Sequence, residues 1–272
     1  MLRRALLVGG AGASVGAFLR AALPEKASVA AFCISLGPFV PPEWNLLLTF
    51  AAKSERVGVR PVIGAPRRVR TEDMEVAIIK YNAGNIRSVV GAFRRLGVEP
   101  VVTDDARRLA AADRVVFPGQ GEASTTMGYL RGHGLDRLIA GLRQPVLGIC
   151  IGQQLLCARS EEGDTPCIGV FGDVEVKRFV APSADFKIPH VGWNTLGRLS
   201  SPLFDGVGEG DYAYFIHSYY VPDNPYSIAT TDYIVPFCSA LRRDNFYATQ
   251  FHPEKSGRVG ERILQNFLNL PE

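Results

Sequence analysis

The run GICIGQQLL, residues 148–156, follows PVL and sets one cysteine between two glycines, each two positions away. The apolar residues before Cys150 read as a short buried strand, and IGQQLLCARS (151–160) reads as a helix. A strand that enters a helix through one residue must turn sharply, and small residues on either side relieve the crowding. That is the logic of a nucleophile elbow with sulfur in place of oxygen. The positive end of the helix would favour thiolate at Cys150, and the Ile151 N–H would face an oxyanion on an attacked carbonyl. A single cysteine is by default a small buried hydrophobe. Alone, the stretch supports core and nucleophile about equally.

Working outward, strand and helix alternate from Met74 onward. MEVAIIKY (74–81) has the apolar form of a buried parallel strand. IRSVVGAFRRLG (86–97) is an amphipathic helix ended by Gly97. EPVVT is a second strand, DDARRLAAA a helix, DRVVFPG a third strand, and residues 123–143 are helical with a break at Gly132–Gly134. From about Ile168 short β runs take over, and a last helix covers roughly Arg258–Leu270. The expected fold is α/β, with three layers: a central, mostly parallel sheet covered on both faces, and added antiparallel strands in the C-terminal half.

Residues 1–73 read differently. MLRR and the apolar run after it resemble the charged and hydrophobic regions of a secretory signal. GAGASVG has the spacing GxGxxxG, which does not fit a dinucleotide-binding loop. These residues carry ten Lys/Arg against five Asp/Glu, whereas 74–272 carries twenty against twenty-two. A near-neutral domain without a polybasic run argues against a nucleic-acid partner. No apolar run reaches the roughly 20 residues of a membrane-spanning helix. The five cysteines (Cys33, Cys150, Cys157, Cys167, Cys238) are odd in number and lack metal-like spacing. Free thiols in the cytoplasm, with no metal and no cofactor, are expected.

A nucleophilic thiol needs a base, and the base an orienting group. In FHPEKSG, His252 and Glu254 are two apart and project to one face of an extended chain. Glu254 can hold the imidazole while His252 moves the proton. FPGQGEAS (117–124) ends the third strand with Gly119 and Gly121 flanking Gln120, so backbone N–H groups there can approach a ligand closely. Each piece alone has an ordinary turn as its alternative, but together they favour catalysis. Cys157, seven residues after Cys150, reads as core. His133 reads as a solvated loop or cap residue, and His190 and His217 as structural or interface residues.

The G-x-C-x-G-x-Q pattern and the distal His-x-Glu resemble those of class I (triad) glutamine amidotransferases, across 74–272. YNAGNIRSV, PGxGEAS, IPHVGWN, YFIHSYY and FHPEKSG, in this order, further resemble the glutaminase subunits of imidazole glycerol phosphate synthase. The resemblance implies a flavodoxin-like amidotransferase fold. It makes Cys150 the nucleophile on the glutamine side-chain amide, with His252 and Glu254 completing the triad. It places the oxyanion hole at the backbone of Gly119, Gln120, Gly121 and Ile151. Gln154 with the Ser218–Tyr219 backbone would hold the amino-acid end of glutamine. Asn85, Trp193, Tyr214 and Lys255 would face a cyclase partner, a (β/α)8 barrel. Ammonia would pass through that barrel to a nucleotide, giving imidazole glycerol phosphate and an aminoimidazole carboxamide ribotide in histidine biosynthesis. Gln120 departs from the family, which often has a small apolar residue there, and residues 1–73 have no counterpart.

The other readings are a glutaminase of another pathway, a free-standing cysteine hydrolase, and an inactive binding module. IPHVGWN and YFIHSYY weigh against the first, and the complete triad against the last. The domain is expected to begin at Met74, with residues 1–73 a mis-assigned extension. Intact-mass measurement of the natural product should give an N-terminus at Met74; a mature terminus upstream of it would overturn that expectation.

Overall fold

The computed structural model describes residues 74–81 and 86–271. The expectations placed on residues 1–73 and on Asn85 fall outside the described residues.

Seven strands form the main sheet: β1 (Val76–Ile79), β2 (Val101–Thr103), β3 (Arg114–Phe117), β4 (Val146–Ile149), β11 (Ser227–Tyr233), β12 (Val235–Arg243) and β13 (Phe246–Thr249). Their order is β11-β12-β13-β4-β3-β1-β2. From β13 to β2 every pairing is parallel, and β11 and β12 add the antiparallel edge. The expected α/β architecture is the one observed.

Strand periodicity explains the layers. Val76 and Ile78 enter one core with Val89, Phe93, Ile263 and Phe267, whereas Ala77 and Ile79 enter a second with Leu109, Met127, Leu130 and Ile139. Successive side chains of a strand point to opposite faces, so a strand buried on both reads as unbroken apolar sequence. The first core lies under α1 (Ile86–Arg95) and α6 (Gly257–Leu268). The second lies under α2 (Ala106–Ala111), α3 (Ala123–Gly132) and α4 (Leu135–Gly141). The break expected at Gly132–Gly134 is where α3 ends at His133 and α4 begins after Gly134, whose φ is +66°.

The helix expected over 151–160 is shorter. α5 spans only Ile151–Leu155, and Arg159–Ser160 form strand β5. The Ala158 N–H is taken by the Val174 carbonyl, and Arg159 and Ser160 pair with Glu175 and Val176 of β7 (Glu175–Arg178). Strand pairing after Cys157 thus overrides local helical character. β5, β6 (Thr165–Pro166), β7 and β10 (Tyr219–Tyr220) form a small second sheet. β8 (His190–Thr195) and β9 (Tyr212–His217) form a separate antiparallel pair.

Close packing through glycine ties the final helix to the chain before it. A methyl group on Gly260 of α6 would lie 1.8 Å from the Pro253 carbonyl oxygen. Gly260→Ala should therefore destabilise the protein by about 1–3 kcal/mol, the range for overpacking. Gly128, exposed within α3, has open space around it, and Gly128→Ala should stabilise by about 0.5–1 kcal/mol. Urea denaturation of both variants checks the contrast.

Candidate active site

Three neighbouring parallel strands deliver the site at their C-terminal ends. β3 leads into Pro118–Gly121, β4 into Cys150, and β13 into Gln250–Glu254. Ligands of open α/β sheets bind at this edge. Cys150 itself has φ +53° and ψ −106°, a strained conformation for a residue with a side chain. Its N–H donates to the Thr249 carbonyl at 2.7 Å, fastening the elbow to β13.

The glycines have specific clearances. A methyl on Gly148 would meet the Gly152 backbone at 3.0 Å, and one on Gly152 would meet the Phe117 carbonyl oxygen at 2.3 Å. A methyl on Gly119 would lie 2.0 Å from the Ile149 oxygen and 2.6 Å from the Ile151 nitrogen. The Gly119–Gly121 segment therefore lies directly against the first amide of α5. Gly121, at φ +149°, adopts a conformation that favours glycine. The Tyr81 hydroxyl donates to the Pro118 carbonyl and braces this segment from below. Burial raises the Tyr81 phenol well above its ordinary range, so it stays a donor.

His252 is buried, and its Nδ1 lies 2.8 Å from Glu254 Oε1. With Nδ1 committed there, Nε2 is the nitrogen left to exchange a proton with Cys150. Burial opposes charge on the ring, but the neighbouring Cys150 and Glu254 outweigh it and raise His252 to about 10. Backbone bonds strap this turn to β9: the His252 N–H donates to the Tyr214 carbonyl at 2.9 Å, and the Tyr214 N–H to Ser256 Oγ at 3.0 Å. Ser256 Oγ in turn donates to the His252 carbonyl at 2.7 Å.

A cavity of about 460 Å³ opens beside Cys150. Gly119, Gln120, Gly121, Ile151, Gln154, Ser218, Tyr219 and His252 line it, together with Glu162, Pro189, Ile216 and His217. All the triad, oxyanion and substrate residues expected from sequence except Glu254 thus surround one space, and Glu254 backs His252 from behind. Sequence reading missed three residues. Glu162, half-buried, accepts from the Ala123 N–H at 2.8 Å and presents a carboxylate at the cavity; burial raises its carboxyl above the usual range. EEGD carries no pattern that marks it. Tyr81 closes the first strand, and Gln250 sits unremarked two residues before His252.

Gln154 is held by two hydrogen bonds. Its Nε2 donates to the Tyr219 carbonyl at 3.0 Å and to Gln250 Oε1 at 2.9 Å. His217 Nδ1 also lies 2.7 Å from the Tyr219 oxygen, and the Ser218 oxygen accepts from the Phe179 N–H. Both carbonyls are thus engaged, and the group Gln154 retains for a ligand is its Oε1.

Of the residues expected to face a partner, Trp193, Tyr214 and Lys255 lie close together. β8 and β9 pair Val191 with Ile216 and Trp193 with Tyr214. Trp193 is 55% exposed, Val191 54% and Tyr212 56%. The Trp193 ring meets Tyr214 edge-on at 5.9 Å, and Lys255 Nζ lies 5.9 Å from the Tyr214 ring centre. On the opposite face of the pair, His190 and His217 are buried against Phe215 and Phe237. Burial lowers them to about 4 and about 3, so both are neutral at pH 7. His133 caps α3 and stacks on Tyr129, and Cys157 is buried core.

A sign follows for stability. His252 titrates at an ordinary 6.5 when unfolded and at about 10 in the fold. Its contribution is complete below about pH 6.5 and is lost as pH rises toward 10. Urea midpoints should fall between pH 7 and pH 10 more steeply for the native chain than for His252→Gln; equal slopes would contradict this.

Residues 77–270 match the family described as glutamine amidotransferase class-I. The chain is 59% identical over 197 residues to the imidazole glycerol phosphate synthase subunit HisH of Bacteroides thetaiotaomicron, covering 72% of this chain and 100% of that protein. It is 42% identical over 201 residues to the HisH subunit of Photorhabdus laumondii, again covering 72% of this chain and all of that protein. A crystal structure of a glutamine amidotransferase, 20% identical, superposes with a TM-score of 0.53 over 71% of this chain and 96% of that one, a likeness of fold. A match at this level over a relative's whole length decides the matter: the chain belongs to the class-I glutamine amidotransferases, among the HisH subunits.

Proposed function

We propose that this chain is the glutaminase subunit of an imidazole glycerol phosphate synthase and that Cys150, His252 and Glu254 perform its chemistry. The observation that carries the reading is the buried His252–Glu254 contact of 2.8 Å beside a thiol held on a strained elbow. The Cys150 thiolate adds to the side-chain carbonyl carbon of glutamine, and the oxygen takes the negative charge. N–H groups of the Gly119–Gly121 segment and of Ile151 stabilise that oxyanion. The C–N bond then breaks as the His252 imidazolium gives its proton to the departing nitrogen, leaving a glutamyl thioester and ammonia. Water attacks the thioester with His252 as base, and the C–S bond breaks to release glutamate and regenerate the thiolate.

The same reading assigns the far end of the cavity to the amino-acid group of glutamine. The Glu162 carboxylate and Gln154 Oε1 are both acceptors, which suits an α-ammonium. The backbone of Ser218 and Tyr219, which lines the same wall, is assigned with them to the amino-acid end. Glutamine requires no cofactor or metal in this chemistry.

The apolar outer face of β8 and β9, with Trp193, Tyr214 and Lys255, suits the cyclase partner, and Asn85 is assigned to the same contact on the resemblance alone. The Tyr214 bonds to His252 and Ser256 would carry docking strain straight into the catalytic turn. Among the described residues no helix is long and apolar enough to cross a membrane. Cys150, Cys157, Cys167 and Cys238 are free thiols, which suits a reducing cytoplasm.

In the complex with its cyclase, Cys150→Ala should abolish glutamine-dependent turnover and leave ammonia-dependent cyclisation intact. Retained glutamine-dependent turnover would refute the assignment. Glu162→Gln should raise the glutamine KM roughly tenfold, about 1.4 kcal/mol, with little change in kcat; an unchanged KM would remove Glu162 from the substrate site.

A further inference from the structure

The cysteine sulfur has two polar neighbours that the triad does not account for. Its S–H points to the Ile216 carbonyl oxygen at 3.8 Å. On another side, Gln250 Nε2 lies 3.7 Å from it. These contacts favour opposite ionisation states. A carbonyl oxygen accepts from a thiol and repels a thiolate, whereas an amide N–H is a donor that a thiolate accepts and a thiol uses only weakly.

The identity of the atom facing the sulfur follows from the hydrogen-bond chain behind it. The Tyr219 carbonyl can only accept, so the Gln154 atom 3.0 Å from it must be the nitrogen. That nitrogen's second N–H meets Gln250 at 2.9 Å, so the Gln250 atom there must be the oxygen. The nitrogen of Gln250 is thereby turned toward Cys150. A flipped Gln250 would set two NH₂ groups against each other and an oxygen against the sulfur. Gln250 is fully buried, and its backbone N–H is fixed by the Ser239 carbonyl at 2.9 Å, so the side chain has little room to turn away.

We propose that Gln250 is a catalytic residue, an N–H donor to the Cys150 sulfur that offsets the Ile216 carbonyl and holds the sulfur as thiolate. It acts twice in the cycle. Before attack it favours the charged nucleophile, and when the thioester is hydrolysed it receives the sulfur as that atom takes back the C–S electron pair. The proposal rests on Cys150 being the nucleophile.

The test compares the native chain with Gln250→Met, which keeps length and removes the donor, and Gln250→Glu, which keeps shape and puts an acceptor beside the sulfur. Iodoacetamide modification of the Cys150 peptide, followed by mass spectrometry across pH, reads thiolate directly. Gln250→Met should be modified about three- to tenfold more slowly at pH 7, with the half-maximal pH moved upward, and Gln250→Glu more slowly still. In the complex, Gln250→Met should lower kcat about tenfold and leave the glutamine KM within about twofold. A residue that merely filled space would lower the melting temperature without moving the alkylation profile. Native alkylation profiles in either folded variant would overturn the proposal. Glutamine-dependent turnover by Cys150→Ala would instead refute the nucleophile itself, so the two failures are distinguishable.

Discussion

The site depends on one backbone constraint: Cys150 must hold φ +53° at the junction of β4 and α5. A conformation of this kind costs on the order of 1–3 kcal/mol and persists only when its surroundings over-determine it. Here the surroundings are two neighbouring strands. β13 accepts the Cys150 N–H through Thr249, and β3 presses against Gly152 through the Phe117 carbonyl. The parallel order β13-β4-β3 is therefore a condition of the chemistry as well as of the core. It lets residues more than a hundred positions apart emerge side by side.

Much of this was legible in the sequence because strands buried on both faces leave unbroken apolar runs and helices leave amphipathic ones. VAII, VVF (115–117) and VLGI are such runs, and the elbow and the His-x-Glu pair are short enough to be read as local geometry. What escaped reading depends on pairing between distant segments. The shortened α5 is decided by β7, which competes for Arg159 and Ser160. Glu162 reaches the cavity only because its turn packs on the start of α3. The alternation in β9 signalled a sheet, while its isolation with β8 as a two-stranded pair left an apolar face in solvent that no periodicity could distinguish from core.

Three histidines of this region are buried, yet their charges diverge. His190 and His217 sit 3.1 Å apart among aromatic rings, with no carboxylate of the described residues against them, and burial keeps both neutral. His252 experiences the same burial, but Glu254 and Cys150 reverse the outcome. Burial alone thus says little about a histidine; the partner set decides. The neutral pair can therefore direct fixed hydrogen bonds toward the Tyr219 carbonyl, while the charged ring suits the proton transfer proposed for it.

The placement of His252 and Glu254 on the last strand and turn also bears on how the protein is made. Cys150 follows β4, whereas His252 and Glu254 come only after β13, and the Pro253 carbonyl of their turn packs against Gly260 of α6. The site as proposed is therefore complete only with β13, its turn and α6 in place. A chain cut before β13 would hold the thiol without the proton partner proposed for it.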